Sequence, residues 1–212
     1  VEAESRGESG RAEGLLRQMI ALRPEESDLY YNLANNLSRQ GRLEEAEVEY
    51  RNAIKKRPDH VSALINLGNV LSQRNQLVAA EKLYKEALGY ESDHPGALAS
   101  LAKIAIRRGE TQKAVKYLER AIEQDPSRAE THYVLGQIFR NERRGLEAAS
   151  SFRQAVKLAP ERGDIHIDLA VTYAQQGQFV ESWAHVREAE GLGFSAPVEF
   201  LAALKKALPE TY

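Results

Sequence analysis

Apolar residues along this chain recur at intervals of three and four, in short stretches that come in pairs. In the first clear pair, Tyr30, Leu33, Ala34 and Leu37 fall on one helical face. Leu43, Ala46, Tyr50 and Ala53 then fall on another. Such spacing predicts two amphipathic helices that hide their apolar stripes against each other. Gly41 stands between them, where the chain must reverse, and Pro58 follows, where the second helix must stop.

The pair is repeated. Prolines stand at Pro24, Pro58, Pro126 and Pro160, separated by 34, 68 and 34 residues, and Ser92 fills the vacant slot. The register divides the chain into repeats 27–60, 61–94, 95–128, 129–162 and 163–196. Numbering each repeat from 1, position 7 is Leu33, Leu67, Leu101, Leu135 and Leu169. Position 8 is Ala34, Gly68, Ala102, Gly136 and Ala170. Position 20 is Ala46, Ala80, Ala114, Ala148 and Ser182, and position 27 is alanine throughout, from Ala53 to Ala189. Small residues at 8, 20 and 27 let helix backbones approach, while larger ones at 4, 7, 11, 17 and 24 fill the space between. Position 15 carries the turn: Gly41, Gly109 and Gly177, with Asn75, which tolerates a left-handed backbone, in the second repeat. The fourth repeat has its glycine two places late, at Gly145, so an altered turn is expected in "NERRGLEAA". At "SDHPGA", Asp93 or His94 is placed to cap the next helix and Pro95 to sit in its first turn.

This register closely resembles the tetratricopeptide repeat, whose 34-residue helix–turn–helix units carry leucine at 7, glycine at 8, tyrosine at 11, alanine at 20 and 27, phenylalanine at 24 and proline at 32. The family's tryptophan at position 4 is replaced by Tyr30, Leu64, Leu98, His132 and His166. The resemblance implies an all-α fold, a right-handed superhelical solenoid of antiparallel helix pairs. It also implies a non-catalytic protein-interaction module that binds a protein or peptide along its first helices.

Both ends are read in the same register. Residues 10–23, "GRAEGLLRQMIALR", align with a second helix, so residues 1–26 form a polar leader and half a repeat. Residues 195–212 form a capping helix and tail, with Ser195 as cap, Pro197 in the first turn and an apolar stripe of Val198, Leu201, Leu204 and Leu208. Trp183 occupies position 21, where Glu47 and Glu81 stand in earlier repeats. It is either covered by the capping helix or an exposed contact for a partner or a second copy. The N-terminal half repeat is the other candidate surface for a homo-oligomer.

Composition narrows the function. A formal net charge of -2 gives no field that favours nucleic acid. No apolar run is long enough to span a membrane. The absence of cysteine removes disulfides, thiolate nucleophiles and cysteine-ligated metals, and leaves cytoplasm and bacterial periplasm both open. His132 and His166 share position 4, so they follow the repeat and stand about 10 Å apart, too far to share a metal. His60 and His94 lie in links, where surface or capping roles are expected. The carboxylates of "EAEVEYRNAIKK" are expected to be solvated helix surface. Without a nucleophile elbow, metal-binding helix motif, phosphate loop or dinucleotide fingerprint, neither an enzyme nor a cofactor is expected.

What remains is the surface that the resemblance assigns to binding, at positions 2, 5, 6, 9, 12 and 13 of the first helices. It carries Asn32, Asn35, Arg39, Asn66, Asn69, Gln73, Lys103, Arg107, Gln137, Arg140 and Asn141. Asparagine is unfavourable inside a helix, and its amide both donates and accepts, which suits an extended backbone. Asn32 and Asn66 resemble the start of the asparagine ladder in the repeat domain of O-linked N-acetylglucosamine transferases, which here covers two repeats. Asn35 and Asn69 resemble half of the carboxylate clamp of chaperone-binding members, with Tyr31 where those place a lysine. Lys103, Arg107 and Arg140 suit an acidic peptide. Two other classes fit the sequence: the substrate-recognition part of a larger enzyme, such as a glycosyltransferase or sulfotransferase, and a self-assembling oligomerisation module.

Overall fold

The computed structural model describes the backbone of residues 2–208 and the side chains of residues 9–208. The described residues are helical, without a strand, and fall into two compact units, 1–109 and 110–212. The first unit holds α1 (Glu2–Leu22), α2 (Ser27–Arg39), α3 (Leu43–Lys56), α4 (Val61–Gln73), α5 (Leu77–Tyr90) and α6 (Pro95–Arg107). The second holds α7 (Thr111–Gln124), α8 (Ala129–Asn141), α9 (Gly145–Leu158), α10 (Gly163–Gln175), α11 (Phe179–Gly191) and α12 (Val198–Ala207). Within each unit consecutive helices pack as neighbours, the arrangement of a helix-pair solenoid.

The small positions do what their size allows. Ala34, Ala46, Ala53, Ala80 and Ala87 in the first unit, and Ala148, Ala155, Ala170 and Ala189 in the second, are all fully buried. Ser182, which replaces alanine at position 20, is also buried, and its hydroxyl donates to Ala170 O at 2.8 Å. The glycines at position 8 mark close approaches within a helix pair: a Cβ on Gly68 would meet Tyr84 Cε1 at 2.5 Å, and one on Gly136 would meet Phe152 Cδ1 at 2.7 Å.

The turn of the fourth repeat is not altered. Arg143 occupies position 15 with φ 59°, beside 76° at Gly41 and 60° at Asn75. Its N–H donates to Arg140 O at 3.0 Å and Arg144 N–H to Phe139 O at 2.9 Å, the bonds that Gly41 and Arg42 make to Ser38 and Leu37. The bonds of the reversal hold the backbone in place, and Gly145 is simply the first residue of α9.

Position 4 has a polar task that recurs. Tyr30 Oη donates to Pro24 O at 3.0 Å, His132 Nε2 lies 3.0 Å from Pro126 O, and His166 Nε2 lies 3.2 Å from Pro160 O. Each satisfies the carbonyl that the stop proline leaves open after the preceding helix. The linking histidines cap: His60 Nδ1 accepts from Ala63 N–H at 3.4 Å and His94 Nδ1 from Ala97 N–H at 3.3 Å, with Pro95 opening α6. Accepting at Nδ1 puts the neutral His60 proton on Nε2, which lies 3.2 Å from Asp28 Oδ1 but out of line for a hydrogen bond. Burial, then the nearby Arg57 charge, lowers the His60 pKa from its ordinary 6.5.

Both ends differ from expectation. The N-terminal segment is helical from Glu2, continuous with the helix expected over 10–23. Glu13 ties α1 to the first turn through Arg42, at 2.6 Å. At the other end α12 starts at Val198 with Pro197 as its cap residue, so Ser195 does not cap it. Val198 is exposed, whereas Leu204 is buried with Phe200, Leu201 and Leu208 against Trp183 and Val186.

Trp183 is thereby only 5% exposed, and its indole N–H donates to Leu208 O at 2.9 Å. That contact removes it as a docking residue for a second copy. At Glu47, Glu81 and Trp183, position 21 faces the next element. In the first unit that element brings arginine at position 14: Glu47 pairs with Arg74 and Arg51, and Glu81 with Arg108 at 2.6 Å and Lys85 at 2.6 Å. Glu47 is therefore not solvated surface; it is 8% exposed and clips two repeats together. After the last repeat comes apolar α12, and the residue at 21 is an indole.

Candidate functional site

In the first unit, α2 and α4 bring Tyr31, Asn35, Ser38, Arg39, Asn66, Asn69, Val70 and Gln73 around a recess of about 340 Å³, floored by Tyr50 of α3. The asparagines are set by a hydrogen-bond pattern that repeats. Asn35 Oδ1 accepts from Tyr50 Oη at 2.6 Å and from Asn66 Nδ2 at 3.0 Å. One repeat later, Asn69 Oδ1 accepts from Tyr84 Oη at 2.8 Å and from Ser100 Oγ at 3.4 Å. Positions 9, 24 and the next repeat's 6 thus form one device. Burial pushes the Tyr50 and Tyr84 hydroxyls up to about 12, so both remain donors at physiological pH.

The consequence is a fixed amide. With both lone-pair directions of Oδ1 engaged, the amide cannot exchange its ends without losing two hydrogen bonds. Asn35 Nδ2 and Asn69 Nδ2 make no hydrogen bond among the described residues and belong to side chains that line the recess. The asparagines were expected to donate and accept alike; in Asn35 and Asn69 the oxygen is already engaged within the fold. Asn66 instead spends its amide on Asn35 and on Tyr31 Oη at 3.4 Å.

The remaining candidates fare differently. Asn32 is exposed on α2 and does not line the recess; Gln73 and Arg39 stand exposed at its edge. On α6, Lys103 is exposed, and Arg107 Nη1 reaches back to Ser72 O at 3.4 Å. In the second unit, Arg140 is not available as a bare charge: its Nη1 pairs with Asp168 Oδ1 at 2.6 Å. Tyr133 Oη donates to Asp168 Oδ2 at 3.0 Å, and burial, then that carboxylate's charge, pushes Tyr133 up to about 12. Asn141 and Arg140 line a second recess of about 620 Å³ with Arg143, Leu146 and Gln175, while Gln137 lies half-buried outside it.

Sequence reasoning missed two groups. Tyr50 and Tyr84 were expected only to pack, yet their hydroxyls orient the asparagines. Asp168 stood at a groove position without its partner; the signal was an opposite charge at position 12 of the preceding repeat. Among the described residues no group of three or more His, Asp or Glu is arranged to hold a metal. No described helix is long and apolar enough to cross a membrane.

Two family models, both described as tetratricopeptide repeat, match the chain, one over residues 2–50, 31–97 and 133–197 and the other over 73–138. The chain belongs to the tetratricopeptide repeat family. Its fold is that of a protein–protein interaction scaffold, and members are generally non-catalytic. No curated protein matches it in sequence. Among solved tetratricopeptide repeat structures it is similar to YrrB, described as having an unusual peptide-binding site, at 24% identity and a TM-score of 0.65 over 91% of this chain and 98% of that one. It is similar to MamA from Desulfovibrio magneticus RS-1 at 19% identity, with a TM-score of 0.67 over 79% and 95%. For PilF of Pseudomonas aeruginosa the identity is 20% and the TM-score 0.77, over 87% and 85%. At these identities the likeness is one of fold.

Proposed function

We propose that this tetratricopeptide repeat chain binds an extended segment of a partner protein along the first helices of its repeats, with the recess of the first unit as the principal contact. The observation that carries this reading is the pair of fixed amides. Asn35 and Asn69 are held by Tyr50, Asn66, Tyr84 and Ser100 so that two NH₂ groups, one repeat apart, are left for a ligand. Such donors take peptide carbonyls or carboxylates and reject other donors. Arg39 and Gln73 at the edge add further donors, which favours an acidic segment over a basic one. Arg140 plays no selective part, because Asp168 already neutralises it.

The test uses Asn→Asp and not Asn→Ala. Aspartate keeps an oxygen for Tyr50 and Tyr84 but replaces the outward donor with an acceptor. Peptides selected from a random display library on the wild-type chain are measured by calorimetry against Asn35→Asp/Asn69→Asp. A loss of at least about tenfold, roughly 1.4 kcal/mol, is expected, with an unchanged helical circular dichroism spectrum. Equal affinity for both proteins would remove the asparagines from the site.

A further inference from the structure

The last repeat contains a buried contact that no binding role uses. His166 on α10 and His185 on α11 face each other with Nδ1 to Nδ1 at 3.0 Å, and His166 is 5% exposed. Tyr173 stacks on the His185 ring with centroids 5.7 Å apart and planes 14° apart. The protons can be placed from the partners. His166 Nε2 faces Pro160 O, which only accepts, so Nε2 carries a hydrogen and His166 Nδ1 is a lone pair. His185 Nδ1–H therefore donates to it. This arrangement accommodates one proton between the two facing nitrogens. A second proton there would place two N–H groups head to head at 3.0 Å, and the rings must part.

We propose that the His166–His185 contact is a proton-operated latch that holds α11 against α10 near neutral pH and releases it in mild acid. The surroundings leave the pair to set the response. Tyr173 on α10 meets His185 through its ring, and the charged neighbours acting on His185 are His166 and, in the opposite sense, Glu188 on α11. From the side of α9 the contact is the Pro160 carbonyl, and α12 meets α11 through Phe200, Leu201 and Leu204. Burial, then the field of His166, lowers the His185 pKa from its ordinary 6.5. The sign follows: the opened form binds more protons, so the latch is closed above about pH 6.5 and weakens below it. Each proton gained on opening shifts the balance about tenfold per pH unit.

The chain reports on its own latch, because its one tryptophan, Trp183, lies on α11 two residues from His185. Emission of Trp183 is followed from pH 8 to 5 in the full chain, with far-ultraviolet circular dichroism recorded alongside. A reversible shift to longer wavelength below about pH 6.5, with helicity retained, is expected. In His185→Phe, which keeps a ring on Tyr173 and removes the titration, the shift should vanish. Should that variant fold poorly, His185→Gln serves the same purpose. A wild-type spectrum that stays constant to pH 5, or an equal shift in a folded His185 variant, overturns the proposal.

Discussion

Replacing Gly136 by alanine adds one methyl group at the tightest contact between α8 and α9. The new Cβ would stand 2.7 Å from both Phe152 Cδ1 and Cε1 and 3.1 Å from Cγ. Carbon atoms in contact prefer about 3.5–4.0 Å, so the ring or the helix must retreat by about an ångström. Phe152 is fully buried and has no free side to move into. Over-packing of this kind costs about 1–3 kcal/mol, and alanine returns up to about 1 kcal/mol through its better helix propensity. Ala34 coexists with Tyr50 in the first repeat, so a helix pair can be built around this combination, which argues for the lower half of the range. A net loss of about 0.5–1.5 kcal/mol is expected, or roughly 1–6 °C in Tm for a chain of this size. Urea unfolding followed by Trp183 emission, which reports the same unit, measures it. Phe152→Leu, which copies Leu118 at the same position of the third repeat, should cost stability alone yet rescue part of the loss in Gly136→Ala. A neutral or stabilised Gly136→Ala, or strictly additive changes in the double variant, would refute the close-approach argument.

Two further outcomes follow from the turns and the clips. Arg143→Gly relieves a left-handed backbone on an exposed residue and should stabilise the chain by about 0.5–1 kcal/mol, read as a raised urea midpoint; a lowered midpoint would mean the arginine side chain matters more than its φ. Hydrogen bonding to Lys85 and then to Arg108 holds the Glu81 carboxyl below its ordinary 4.5, so its stabilisation is complete above about pH 4.5 and is lost as pH falls through the lower folded value. The stability gap between wild type and Glu81→Gln should therefore be widest near neutrality and narrow in acid. A gap that stays constant from pH 6 to pH 3 would show that the ion pairs contribute nothing.

The helix pairs were legible in the sequence because packing constraints recur every 34 residues and are read from residue size alone. Ala46, Ala53 and their equivalents are buried for the reason their size suggested. Turn chemistry was legible only where a residue type announced it. Asn75 did so, whereas Arg143 adopts the same left-handed backbone because the surrounding hydrogen bonds impose it. Residues that face a neighbour of another kind were the least legible. Glu47 and Trp183 share one position, which is ionic where the next repeat brings an arginine at position 14 and an indole where α12 comes next.

The asparagines show the same limit at the candidate site. Periodicity singled out Asn35 and Asn69, but nothing in their spacing says which end of the amide faces a ligand. That is decided by Tyr50 and Tyr84 on the second helices and by Asn66 and Ser100 in the following repeats. The amide is thus half scaffold and half site. Alanine at these positions would remove an acceptor that two buried-side donors need as well as the groove donor, so weakened binding would not separate a damaged fold from a lost contact. Aspartate leaves the scaffold half in place and reverses the other. Only that substitution asks the groove a question to which a change in affinity is the answer.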